Sequence, residues 1–121
     1  MPADGIVPHQ HEWTDEERET LVDAVLTSPE ARTFMRTVGK RDAPSLFSSL
    51  INVALDRGTG DPLLWSARGA HNALHWAANK VIAERSYLAL FPDALSVLIA
   101  YGHRVRGVAE ADTALVMGQY A

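Results

Sequence analysis

At 121 residues the chain has the length of one domain with one hydrophobic core, and an apolar content of 47% is enough to fill it. The absence of cysteine removes disulfides, thiolate metal sites and cysteine nucleophiles together, and it suits a reducing cytoplasm. The formal net charge of −4 is set by an acidic front, Asp4, Glu12, Asp15, Glu16, Glu17, Glu19 and Asp23 against Arg18 alone through Leu26, which disfavours a general nucleic-acid-coating role.

Residues 1–12, MPADGIVPHQHE, read as a flexible lead with two Pro, one Gly and no periodicity, so that 13–121 forms a single helical domain. The lead has neither the positive start nor the apolar middle of a signal peptide. No later stretch is apolar long enough to cross a bilayer, which predicts a soluble cytoplasmic protein with no membrane partner. Thr14 to Glu17 makes a capping box, and the helix it opens carries Leu21, Val22, Val25 and Leu26. Its acidic first turn complements the positive end of the helix dipole, so local physics accounts for the charge run. Ser28-Pro29 starts a second helix with Phe34, Met35 and Val38, and Gly39 closes it. The basic cluster Arg32, Arg36, Lys40 and Arg41 reads as a solvated face and turn.

Asp42-Ala43-Pro44 opens a third helix. Leu46, Phe47, Leu50, Ile51, Val53 and Ala54 form one face, while Ser45, Ser48, Ser49, Asn52 and Asp56 form the other. It ends at Gly58, and Gly58-Thr59-Gly60 links it to the stretch about which the chain is expected to be organised. There Asp61 and Pro62 read as N-cap and first helical residue of a central helix over about 62–91. Leu63, Ala67, Ala70, Leu74, Ala77, Ala78, Val81 and Leu88 recur at three- and four-residue steps as its core stripe. Trp65, Trp76 and Tyr87, spaced by eleven, align on a second stripe beside Gly69 and Ala73. A third stripe is polar: Arg68, His71, Asn72, His75 and Asn79. Such a polar strip must be solvated, paired across a neighbouring helix or lining a cleft, because buried and unpartnered it would cost several kcal/mol.

Pro92 breaks the central helix near Phe91. The segment beyond it, with Ala94, Leu95, Val97, Leu98, Ile99 and Tyr101, is apolar nearly all round and therefore buried. A last helix from Val108 carries Ala111, Ala114, Leu115 and Met117. Period-two alternation and hairpin dipeptides are both missing. The fold class is all-α, a compact bundle of five or six helices around the central helix.

Two spacings bear on chemistry. His71 and His75 lie one turn apart, the geometry of a bidentate metal pair, but zinc needs a further ligand from elsewhere and the Glu of a zincin motif is missing, so neither a metal nor another cofactor is expected. Arg68 and His75, seven apart on one helical face, resemble the Arg–His pair of HEPN-type ribonucleases, which are likewise small all-α domains. That resemblance covers eight residues and implies a ribonuclease in which Arg68 stabilises the strained phosphate and His75 moves the proton of the ribose hydroxyl. The residues themselves favour a non-enzymatic reading: a small acidic helical binding or regulatory module acting through self-association or by docking a protein partner. The interface is then expected on Trp65, Trp76, Tyr87, Gly69 and Ala73, since Trp and Tyr are preferred anchors.

Overall fold

Thr14 caps the first helix reciprocally with Glu17: its hydroxyl accepts from the Glu17 amide at 3.1 Å, and the Glu17 carboxylate accepts from the Thr14 amide at 3.0 Å. The computed structural model describes residues 13–57, 61–80 and 85–120. The lead at 1–12, the Gly58–Gly60 link and Val81 fall outside the described residues. Helix α1 spans Asp15–Leu26, and a 3-10 turn at Pro29–Ala31 runs into α2, Arg32–Val38. Gly39 ends α2 with φ 87°, a left-handed value that glycine tolerates without strain. Helix α3 covers Ala43–Arg57, α4 Ala67–Lys80, the single turn α5 Arg85–Leu88, α6 Phe91–Arg106 and α7 Glu110–Tyr120. The described residues contain no strand, and the fold is the all-α bundle that the sequence implies.

The helices at the centre are α3 and α6. Leu46, Phe47, Leu50 and Ile51 on α3 are wholly enclosed, as are Ala94, Leu95, Leu98 and Ile99 on α6. Helix α1 packs on α3, and Phe34 of α2 meets Phe47 at a ring separation of 5.4 Å. Pro92 lies in the first turn of α6, where its missing N–H costs no bond. A Schellman motif closes that helix: Gly107 takes φ 78°, its amide donates to the Arg104 carbonyl at 3.2 Å, and the Val108 amide donates to that of His103 at 2.7 Å.

The expected central helix at 62–91 is not one helix, and it is not the centre of the bundle. Residues 61–66 form a turn that carries α4 in from the side. The Asp61 carboxylate accepts from the Leu63 amide at 2.9 Å, and the Leu64 amide donates to the Asp61 carbonyl. Ser66, not Asp61, caps α4, its hydroxyl accepting from the Gly69 amide at 3.0 Å. The tertiary reason is the α6 surface beneath the turn. Gly102 presents bare backbone there, and a Cβ built on it would stand 2.8 Å from the Leu63 carbonyl carbon and Cα, and closer to the oxygen. Arg106 reaches over the same contact to pair with Asp61 at 2.9 Å. A run with helical periodicity is thus held as a turn by packing.

Candidate functional site

The exposed face of α4 holds all five residues of the polar stripe. Arg68, His71, Asn72, His75 and Asn79 are open to solvent, opposite Ala70, Ala73 and Ala77, which are buried. This choice follows from packing, because α4 contacts α3, α6 and α7 across its alanine side. The strip is therefore solvated rather than paired across a helix. Its internal contacts are local: the Asn79 side-chain amide donates to the His75 carbonyl at 2.8 Å and lies 3.4 Å from the His75 Nδ1. Arg68 and His75 share the face about 10 Å apart along the helix axis, at a rise of about 1.5 Å per residue. Among the described residues no group of three or more His, Asp or Glu side chains is placed to hold a metal ion.

The aromatic residues do not form one stripe. Trp65 precedes α4, is only 7% exposed and donates its indole N–H to the Pro62 carbonyl at 2.9 Å, which satisfies its one polar atom inside the core. Ala73 is wholly buried in the chain's own core and Gly69 is half-buried. Trp76 is half-buried against the core from α4. Tyr87 belongs to α5, where its hydroxyl shares a hydrogen bond with Ser45 of α3 and its ring meets Phe91 edge-on at 5.7 Å. A spacing of eleven aligns side chains only along an unbroken helix, and the turn at 61–66 removes Trp65 from it.

Two features of the α6–α7 side carried no clear sequence signal. His103 is 4% exposed, and its Nδ1 lies 2.8 Å from the Thr113 hydroxyl, which lies 3.3 Å from the Ala109 carbonyl it can donate to. With that hydroxyl proton directed to the carbonyl, Nδ1 is the donor to Thr113. On the same side Arg104 grips Glu30 through two nitrogens and stacks 5.7 Å from the Tyr101 ring. The guanidinium holds the Glu30 carboxyl below its ordinary value of 4.5, hydrogen bonding to Arg104 being the largest cause.

Of the apolar residues that the sequence places on the last helix, only Met117 packs against the core. Thr113, Val116 and Met117 turn inward and are half-buried, whereas Ala111, Ala114 and Leu115 are exposed. The inward side packs on α4 and α6, and the His103–Thr113 hydrogen bond joins it to α6.

No helix among the described residues is long and apolar enough to cross a membrane. Compared with protein-family models, curated proteins and solved structures, the chain matches none.

Proposed function

We propose that this chain is a small acidic helical binding module that works by self-association or by docking a protein partner, in a reducing compartment such as the cytoplasm. The supporting observation is α7. It is apolar on two opposite sides, yet the described residues cover only one, leaving Leu115 60% exposed beside exposed Ala111 and Ala114. A helix apolar on both sides is normally enclosed, so the uncovered side is a surface for another chain. With Trp65 and Ala73 in the core, the aromatic contribution of α4 and α5 to such a surface comes down to the partly exposed Trp76 and Tyr87. The net charge of −4 argues against nucleic acid as the partner. Sedimentation of the purified chain over about 1–200 µM tests the self-associating form, a range in which dissociation constants correspond to roughly 5–8 kcal/mol. A concentration-dependent rise in mass supports it, and a constant monomer leaves only docking to a different protein.

The ribonuclease alternative draws on one observation, that Arg68 and His75 are both exposed on the same face of α4. Its test is cleavage of RNA by the purified chain without added metal.

A further inference from the structure

His71 and His75 stand one turn apart on the exposed face of α4, a spacing that sets their Cβ atoms about 5–6 Å apart. Helical histidines so placed can bring both Nε2 atoms to one ion, at the roughly 2.0–2.1 Å of a zinc–imidazole bond. The surroundings leave room for an ion and a second chain. The exposed neighbours Asn72, Ala78 and Asn79 are short and uncharged, and the α4 sequence holds no carboxylate. Arg68 is exposed, so its long side chain can swing its charge away from an ion into solvent. Asn79 stands ready as an outer partner, its side-chain amide 3.4 Å from the His75 Nδ1. Turning that amide over presents its oxygen to the Nδ1–H that an ion on Nε2 requires, in exchange for the bond to the His75 carbonyl.

The pair is half a site. A closed zinc site takes four protein ligands in a tetrahedron, and among the described residues no third His, Asp or Glu is placed to join these two. A two-fold axis brings the same pair from a second copy and completes four imidazoles, a donor set suited to zinc. In a tetrahedron the two pairs lie in perpendicular planes, so the two α4 helices cross at about 90°. That crossing sets the two Arg68 positions about 10 Å or more apart, each five residues from the crossing point. Metal–nitrogen bonds hold such a dimer, so it needs no large apolar contact.

We infer that His71 and His75 form half of a zinc site shared between two copies of this chain, so that zinc dimerises the protein through α4. This rests on the self-association reading and gives it a ligand and a contact point independent of α7.

The test uses the full chain without a histidine tag, stripped of metal with EDTA and then titrated with ZnCl2. Sedimentation should show the mass doubling as zinc is added, complete at one ion per two chains and reversed by EDTA. His71→Ala and His75→Ala should each weaken this response by more than about tenfold. Both positions are exposed, so the metal-free melting curves should match wild type, which separates loss of a ligand from loss of fold. His9 and His11 alternate in the lead, and the double variant His9→Ala/His11→Ala should respond to zinc as wild type does. A dimer equally present in EDTA and in zinc would overturn the metal site while self-association stands. A monomer under both conditions, up to about 200 µM, would overturn the site and the self-association reading together. Zinc bound without a change in mass, a response that survives His71→Ala, or one that disappears with His9 and His11, would each overturn the shared α4 site.

Discussion

Gly102→Ala sets helix propensity against packing at one atom. In the interior of α6, Phe91–Arg106, the exchange should stabilise by about 1 kcal/mol on propensity alone. The tertiary contact says the reverse. The new Cβ would stand 2.8 Å from the Leu63 carbonyl carbon and Cα, where unstrained carbon pairs sit at about 3.5–4.0 Å. The obstacle is backbone, so no rotamer change relieves it. The 61–66 turn must move by roughly 1 Å, straining the Trp65–Pro62 hydrogen bond and the Asp61–Arg106 pair. Overpacking of this kind costs about 1–3 kcal/mol and sometimes more, so the net expectation is destabilisation of up to about 2 kcal/mol or beyond. At about 4 °C per kcal/mol for a chain of this size, the melting temperature should fall by several degrees. Thermal unfolding followed by far-UV circular dichroism measures it. A melting temperature at or above wild type would refute the placement of the 61–66 turn on α6.

The core makes a graded series: Leu50→Ala opens a cavity at a fully enclosed position and should cost about 2–5 kcal/mol, the half-buried Leu74→Ala less, and the exposed Asn72→Ala close to zero by denaturant titration. Because Arg104 lowers the folded-state pKa of Glu30, their pair contributes stability that is fully present above the unfolded value of about 4.3 and is lost as pH falls through the lowered folded value. Glu30→Gln should therefore show a shallower loss of stability than wild type in acid titrations below about pH 4.5, and identical acid limbs would refute the linkage. His75→Ala, at an exposed position with local hydrogen bonds, should leave the melt within about 0.5 kcal/mol of wild type. RNA cleavage by wild type that this variant abolishes would establish the ribonuclease alternative over the binding module.

Short-range chemistry carried α1, α2, α3 and the start of α6. The Thr14–Glu17 box, Gly39 and Pro92 act within four residues of their own positions, so their consequences are legible without any partner element. The deep burial of one side of α6 was equally legible from Ala94, Leu95, Leu98 and Ile99, while Asp93 and Arg104 keep its other side exposed. The polar face of α4 was readable too, since Arg68, Asn72, His75 and Asn79 recur at helical spacing.

What could not be read locally depended on residues far away in sequence. Asp61-Pro62 has the form of a helix start, but Gly102, forty residues on, offers a bare backbone against which Leu63 packs more closely than any side chain at 102 would allow. That contact makes 61–66 a turn, takes Trp65 into the core and moves the centre of the bundle to α3 and α6. The inward side of α7 was likewise not legible in the sequence. Its composition is apolar on both sides, so periodicity cannot choose between them, and the side that packs on α4 and α6 is the one with Thr113, Val116 and Met117. Local propensities differ by about 1 kcal/mol or less, whereas a backbone clash costs about 1–3 kcal/mol, and where the two compete the tertiary contact prevails.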